Sequence, residues 1–153
     1  MRLMRGGKIP PQLNWKRTLV SEQAFNEVIE RFLKAIETCN EAALHEVYRD
    51  DIVIWHSFTN ATIARDAGIA MLARLWRDGV RVRYVFDDQL VVGNRGVRRH
   101  RVKATTRGGQ RIVLHAAMFA TVEDGQISRL DEYVDSKEVE ALGAAVAADL
   151  EVG

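Results

Sequence analysis

Three runs of alternating residues, separated by short glycine-bearing turns, dominate the second half of this sequence. The runs are "VRRHRVKATT", "QRIVLHAAMFATV" and "QISRLDEYV", and the turns between them are "RGG" and "EDG". Strands joined by turns this short pair with their neighbours along the chain. The pattern therefore predicts an antiparallel meander ending at Val134, with "VRVRYVF" as an earlier strand before the turn residues Gly93 and Asn94.

The first half of the chain has helical periodicity instead. Behind Ser21, which can cap a helix, apolar residues recur three and four positions apart: Phe25, Val28, Ile29, Phe32, Leu33 and Ile36. A short helix "EAALHEVY", a strand "IVIWH" and a third helix over "RDAGIAMLARLWRD" follow, and Ser136 is predicted to cap a last helix. Helices followed by strands predict an α+β fold with the helices on one sheet face, where a pocket can form between them.

The length, charge and cysteine content of the chain exclude some classes of protein but do not indicate a specific function. The chain has 153 residues, which fits a single domain, predicted here over residues 21–153 behind an extended arm at residues 1–20. Lys and Arg number 22 against 21 Asp and Glu, so the net charge favours neither nucleic acid nor a membrane as partner. The lone Cys39 excludes an intrachain disulfide and weakly favours a reducing, cytoplasmic setting.

The most basic stretch, residues 95–111, carries six Arg and one Lys without an acidic residue. Such a run can contact nucleic acid, but this one lacks an aromatic side chain for base stacking. A solvated or subunit-facing strand surface is therefore the favoured interpretation.

Alternation in "RIVLHAAMFATV" separates two faces of that strand. Its even positions are all apolar and its odd positions are mixed, so the even set is predicted to face the interior. The same parity turns the even residues of the next strand inward, from Gln126 to Val134, with Glu132 next to Leu130. On the first strand it turns His56 inward.

Glu132 has two interpretations from the sequence. A carboxylate buried among apolar groups has a raised pKa, which suits it to proton transfer near neutral pH, and a histidine such as His56 titrates in the same range. Alternatively, Glu132 forms a structural ion pair with an arginine of the basic strand. For His56 a functional role is favoured, because an apolar strand ends there and faces a polar loop.

The other histidines are weaker candidates. His45 is predicted to be exposed on its helix, His100 can face either way, and His115 faces away from the inferred pocket. No two histidines have the local spacing of a metal site, and neither a glycine-rich phosphate loop nor a "GxSxG" elbow is present. Neither a metal nor a cofactor is predicted.

The order of these elements, with "VYRDDIVIWH", "EDGQI" and "LDEYVD", resembles the nuclear transport factor 2-like superfamily, and most of all its SnoaL-like polyketide cyclase branch. The resemblance covers roughly residues 21–140. It implies a cone-shaped curved sheet, mixed or antiparallel, with three N-terminal helices around an apolar cavity and a short C-terminal helix. It also implies a homodimer formed through the outer face of the sheet.

That superfamily includes steroid isomerases, whose site differs from this chain. They place a carboxylate base on the first strand, where this sequence has His56, and a tyrosine on the first helix, where it has Phe32. Their second acid lies near the position of Met118. The resemblance therefore argues against the usual steroid isomerase mechanism.

Limonene-type epoxide hydrolases, in the same superfamily, share more of their site with this chain. They use an Arg-x-Asp segment, an acid on the closing strand and polar residues on the first strand. The segment "HRVK" aligns Arg101 with the arginine and Lys103 with the aspartate, or another register uses Arg99 and Arg101. Glu132 matches the closing-strand acid, so one acid of their set is retained and the other is missing.

The resulting hypothesis is a cofactor-free enzyme that performs isomerisation, cyclisation, dehydration or epoxide opening on an apolar cyclic metabolite. His56 is the predicted general base or acid, Glu132 its partner carboxylate, and Arg101 the residue that orients Glu132 or stabilises an oxyanion. The predicted ligand-binding residues are Phe32, Ile54, Trp76, Leu114, Ala116, Met118 and Val134. The alternative is a non-catalytic dimeric binding or assembly module of the same fold.

Overall fold

The computed structural model describes residues 21–152, which form four helices and six strands. In chain order these are α1 (Glu22–Glu37), α2 (Glu41–Val47), β1 (Tyr48–His56), β2 (Ala61–Ile63), α3 (Arg65–Arg77), β3 (Arg81–Val92), β4 (Arg95–Thr105), β5 (Arg111–Glu123), β6 (Gln126–Val134) and α4 (Ser136–Val152). The strands form one curved, open sheet in the order β2-β1-β6-β5-β4-β3. Strands β1 and β6 are parallel and the other neighbours are antiparallel, which confirms the predicted α+β class. The predicted arm at residues 1–20 lies outside the described residues.

Helix α1 begins where the sequence predicts. Ser21 caps it, because Ser21 Oγ accepts a hydrogen bond from the Ala24 N–H at 3.1 Å. The whole predicted apolar stripe is buried, from Phe25 at 1% exposed to Ile36 at 3%. These side chains form the main core together with inward residues of β1, β5 and β6. Each large apolar side chain buried in this way contributes about 1.5–3 kcal/mol, so α1 is held chiefly by its contact with the sheet.

Strands β4, β5 and β6 form the predicted meander. Gly109 and Gly125 lie in its two turns with φ of 84° and 77°, a conformation that costs energy for residues with a side chain. On β5 every even residue from Leu114 to Val122 is buried, which confirms the predicted inward face.

The parity predicted for β6 is correct only from Leu130 onward. Ile127, at an odd position, is fully buried, whereas Gln126 and Ser128 are only partly buried. The pairing of β6 with β5 shifts in register beside Ile127. A shift of one residue exchanges the two faces of a strand, and for this reason the inward positions change from odd to even along β6.

The last helix is not short, as was predicted, but spans 17 residues. Its sequence lacks proline and is rich in Ala, Glu and Leu, which favour helix. Its cap is Asp135 rather than Ser136, since Asp135 Oδ1 accepts hydrogen bonds from the N–H groups of Lys137 at 2.9 Å and Glu138 at 3.3 Å. Among residues 21–152 no helix, α4 included, is long and apolar enough to cross a bilayer.

Both ends of α4 are fastened to the sheet. Near its start, Glu138 Oε2 accepts a hydrogen bond from the His115 N–H of β5 at 2.6 Å. Near its end, Asp149 Oδ2 accepts one from the Gly108 N–H in the β4–β5 turn at 2.7 Å. Between these anchors, α4 packs Leu142 against inward residues of β4 and β5 in a second apolar cluster. The helix thereby forms a wall beside the main core.

Candidate active site

A partly open cavity of about 470 Å³ lies between α3, α4 and the inner face of the sheet. Most of its walls are apolar, and they include Leu72, Leu75, Val82, Val102, Leu142 and Val146. Three polar side chains line its buried part, namely His56, Tyr84 and Glu132. Its exposed rim carries Arg74 and Asp78. The cavity thus combines an apolar volume with a small buried polar cluster.

Three of the seven predicted ligand-binding residues line this cavity: Trp76, Leu114 and Val134. The other four do not. Phe32, Ile54 and Met118 are at most 4% exposed within the main core, and Ala116 is buried on β5. Phe32, Ile54 and Met118 are packed against other side chains in the main core, whereas the cavity opens beside α3 and α4.

His56 and Glu132 are brought together by the parallel pairing of β1 with β6, in which they are directly opposite each other. His56 Nε2 lies 3.7 Å from Glu132 Oε2. The Ser57 N–H donates to the Glu132 backbone carbonyl at 2.9 Å, and the ring of Phe58 lies 5.2 Å from the His56 ring. The loop after β1 therefore holds the histidine against the carboxylate.

Arg101 does not reach Glu132, contrary to the sequence prediction. Its side chain pairs instead with Asp87 of β3, with an NH2–Oδ1 distance of 2.8 Å. The even residues of β4 face the interior, and His100 and Val102 are buried among them, so Arg101 lies on the opposite face. The alternation of charged odd residues with Val102 and Ala104 at even positions was a signal for this orientation in the sequence itself.

His100 is the residue that sequence reasoning left unassigned and that the structure places beside Glu132. Its Nε2 lies 3.8 Å from Glu132 Oε1, and its ring lies 5.2 Å from the ring of Tyr84. The inward pair on β4 is thus Arg98 and His100, in place of either pairing that the epoxide hydrolase resemblance offered. A histidine, and not an acid, occupies the inner position next to the retained carboxylate.

Burial governs the protonation of this cluster. It raises the pKa of Glu132 to about 7, although 21% of that side chain remains exposed at the cavity wall. It lowers the pKa of His56, and burial together with the Arg98 cation lowers the pKa of His100 to about 4. Near neutral pH, Glu132 is therefore present in both its protonated and ionised forms beside two histidines that favour the neutral form.

The chemical capacity of the cluster follows from these states. Protonated Glu132 can donate a proton, ionised Glu132 can accept one, and neutral His56 can accept one through an unprotonated ring nitrogen. Both side chains line the cavity. Among residues 21–152 no group of three or more His, Cys, Asp or Glu side chains is arranged to hold a metal ion.

The family assignment follows from a match over most of the chain. A family model of the SnoaL-like domain matches residues 29–130. The chain belongs to the SnoaL-like domain family. No protein of curated function matches this SnoaL-like protein significantly by sequence.

Solved structures share the fold of this SnoaL-like protein. An LEH-like epoxide hydrolase from M. tuberculosis has a TM-score of 0.68 at 16% identity, over 85% of this chain and 96% of that one. PrhC from Penicillium brasilianum has a TM-score of 0.74 at 12% identity, over 84% and 91%. An NTF2-like protein from Burkholderia xenovorans has a TM-score of 0.64 at 16% identity, over 80% and 97%. These likenesses confirm the nuclear transport factor 2-like fold and, at such identities, the fold alone.

Proposed function

We propose that this SnoaL-like protein is an enzyme that moves a proton within an uncharged, largely apolar cyclic metabolite, using its own acid–base side chains. The observation that carries the proposal is the contact between Glu132 and His56 at the wall of an apolar cavity. A carboxyl group with a pKa of about 7 has the acidity that general acid–base catalysis requires near neutral pH.

The reaction divides the two proton transfers between two groups. In an isomerisation or cyclisation, one group removes a proton from the substrate and the other returns a proton to a different atom. The site is restored when a proton then passes between the two neighbouring groups, His56 and Glu132. In a dehydration, His56 removes a proton from carbon while protonated Glu132 supplies a proton to the departing hydroxyl, which leaves as water. In an epoxide opening, Glu132 supplies the proton to the ring oxygen as the C–O bond breaks, and His56 takes a proton from the water that adds to the carbon. The epoxide hydrolase among the structural relatives makes epoxide opening one of the activities to assay first.

The cavity favours an uncharged ligand. Its volume of about 470 Å³ lies within the range of small-molecule sites, and its walls are mainly aliphatic. Among the described residues that line it, the basic ones are Arg74 and His56. Arg74 lies 3.8 Å from Asp78 at the rim, and burial lowers the pKa of His56 and so favours its neutral form. No unpaired cation in this set is available to bind an acidic substrate.

A ligand screen followed by product analysis tests the proposal. Cyclic epoxides, enones and hydroxyketones are first screened for thermal stabilisation of the protein, and stabilising compounds are then incubated with it and followed by mass spectrometry. Glu132→Gln and His56→Gln are expected to lower turnover by about 10²–10⁴-fold, the usual contribution of a general acid or base, while binding is kept. Leu114→Trp, which fills the cavity, is expected to abolish both.

Turnover that survives both Glu132→Gln and His56→Gln would contradict the enzyme proposal. Binding that is abolished by Leu114→Trp, with no conversion by the wild type, supports the alternative of a non-catalytic binding module. The second acid of the epoxide hydrolase set is missing here, and the side chain that β4 brings to Glu132 is His100, which favours keeping that alternative.

The outer face of the sheet supports the proposed homodimer. Trp55, Phe119 and Tyr133 form an aromatic cluster there, with ring centroids 4.9 and 5.8 Å from that of Tyr133. Phe119 is 43% exposed and Tyr133 is 51% exposed. An exposed apolar cluster of this kind marks an interaction surface, and a second copy would bury it. Tyr133→Asp should yield a monomer by analytical ultracentrifugation; a wild type that is already monomeric would refute the dimer.

The basic stretch at residues 95–111 gives little support to a nucleic-acid site. Arg98 is buried and its NH1 lies 2.5 Å from Glu30 Oε1, and Arg101 is paired with Asp87. Two of the basic side chains are therefore neutralised within the protein, which leaves a shorter positive surface than the sequence indicates. Retention on DNA at low salt is expected to be absent.

A further inference from the structure

His100 has an unusual setting for a histidine. Its side chain is 0% exposed, and within the described residues neither ring nitrogen has a hydrogen-bond partner in the protein. A buried polar group without a partner is destabilising, and most proteins avoid it. An apolar side chain at this position would avoid the destabilisation, so the presence of an imidazole here needs an explanation.

The register of the sheet explains how His100 reaches Glu132 across an intervening strand. His100 on β4 is paired with Ala116 on β5, and Ala116 is paired with Val134 on β6. The methyl group of Ala116 is small, so the imidazole can extend over it toward the neighbouring Glu132. The two histidines then face opposite oxygens of one carboxyl group, with His56 at Oε2 and His100 at Oε1.

The charges around His100 indicate which atoms interact. Burial and the Arg98 cation both disfavour a protonated imidazole, while the backbone of Arg98 and the charge of Asp87 act in the opposite direction and are weaker. A neutral imidazole has one N–H donor and one acceptor nitrogen. Among residues 21–152, Glu132 is the acidic residue that comes within 4.0 Å of a ring nitrogen of His100. Its carboxylate is therefore the natural acceptor for a proton carried on Nε2.

We propose that His100 is a positioning residue that presents its Nε2–H to Glu132 Oε1 and so directs Oε2 toward His56 and the cavity. His100 itself does not line the cavity, so it acts through Glu132 rather than on a ligand. The distance of 3.8 Å is longer than a hydrogen bond, and a small rotation of the flexible Glu132 side chain closes it. This inference rests on the proposed function only in giving Glu132 the role of acid–base group.

Direct titration of the Glu132 carboxyl group tests the inference without a substrate. The protein is labelled with ¹³C at the side-chain carboxyl of glutamate, and the Glu132 signal is assigned by its loss in Glu132→Gln. The comparison is between wild type, His100→Gln, which keeps an N–H donor, and His100→Phe, which keeps a flat ring beside Tyr84. The matched control is His45→Leu, a substitution at an exposed histidine on α2.

The expected result is a rise of about one pH unit in the Glu132 midpoint for His100→Phe, because the ionised carboxyl loses a donor. His100→Gln and His45→Leu should keep the wild-type midpoint. Of the other groups near Glu132, Tyr48 and Tyr84 have raised pKa values and stay neutral in this range, while His56 is the same in every variant. If His100→Phe does not fold, as judged by circular dichroism, His100→Leu replaces it.

An unchanged midpoint in His100→Phe or His100→Leu would overturn the inference, and so would a rise of equal size in His100→Gln. Neither result depends on enzyme activity. Conversely, undiminished turnover in Glu132→Gln would refute the proposed function and leave the titration result intact. The two failures are thus separable.

Discussion

Replacing Glu132 by glutamine should stabilise the protein at high pH and not at low pH. The amide has nearly the shape of the carboxyl group but cannot ionise. Burial raises the pKa of Glu132 from 4.5 to about 7, so the native protein keeps a proton at a pH where the unfolded chain has released it. When the native protein binds more protons, the free energy of unfolding falls as the pH rises.

The size of the effect follows from that shift. One pKa unit corresponds to about 1.4 kcal/mol, so a rise from 4.5 to about 7 corresponds to about 3 kcal/mol. Solvent reaches the 21% of the side chain that is exposed and screens part of this, which leaves about 2–3 kcal/mol. The destabilisation caused by Glu132 is absent below pH 4.5, grows between pH 4.5 and about 7, and is constant above that range.

The pH dependence of the wild type alone does not reveal this loss of stability, because its buried histidines make the free energy of unfolding change with pH in the opposite direction. The pKa of His56 is lowered and that of His100 is lowered to about 4. Between those values and 6.5 the unfolded chain binds more protons than the native protein, so the free energy of unfolding rises with pH. The two trends overlap and partly cancel, and the difference between wild type and variant is needed to separate them.

Urea unfolding of wild type and Glu132→Gln at about pH 4 and about pH 8 provides that difference. The stability of the variant relative to wild type should increase by about 2–3 kcal/mol from the lower to the higher pH. Glu140→Gln, on the exposed side of α4, is the matched control and should show a difference that does not vary with pH. A Glu132→Gln difference that is equally flat would refute the reasoning that Glu132 is protonated by burial.

Three further substitutions have defined outcomes. In Gly96→Ala the new Cβ would lie 2.6 Å from the Phe25 Cζ in the packed core, and we expect a loss of about 1–3 kcal/mol in urea unfolding; an unaltered midpoint would show that the ring can move aside. Arg98→Met removes the 2.5 Å contact with Glu30, and a loss of about 1–3 kcal/mol is expected, with no loss if the contact contributes nothing. Asp149→Ala removes the C-terminal anchor of α4, so amide exchange in the β4–β5 turn should become faster, and unchanged exchange would show that the anchor is not needed.

The spacing of apolar residues was sufficient to predict those helices and strands in which the pattern continues over many residues. The stripe from Phe25 to Ile36 is helical and buried, and the even residues of β5 face the core. When all the apolar side chains of an element lie on one face, that face has to pack against the core to be removed from water. The same patterns gave the α+β class and the meander. They also identified Glu132 and His56 as inward-facing residues before the structure showed how near they are to each other.

Periodicity could not distinguish a cavity from a core. Phe32, Ile54 and Met118 face inward as predicted but lie within the packed core, whereas Leu72 and Val102 line the cavity. That distinction depends on where α1, α3 and α4 lie over the sheet, which is a property of the packed molecule. The contact between His100 and Glu132 was equally hidden, since it crosses β5 and depends on the small residue between them.

The position of Glu132 depends on the register shift in β6 rather than on alternation alone. Ile127 is buried at an odd position, and continued alternation from Ile127 would turn Asp131 and Tyr133 inward and Glu132 outward. Because the pairing with β5 shifts beside Ile127, the even residues face inward from Leu130 and Glu132 meets both histidines. Irregularities of this kind are frequent next to functional sites, where they redirect a side chain. The pairing of β6 with β5 is therefore irregular at one point, and the Glu132 carboxyl group that this irregularity turns inward lowers the stability of the protein at neutral pH. Both the irregular pairing and the loss of stability are consistent with selection of β6 for the site rather than for stability.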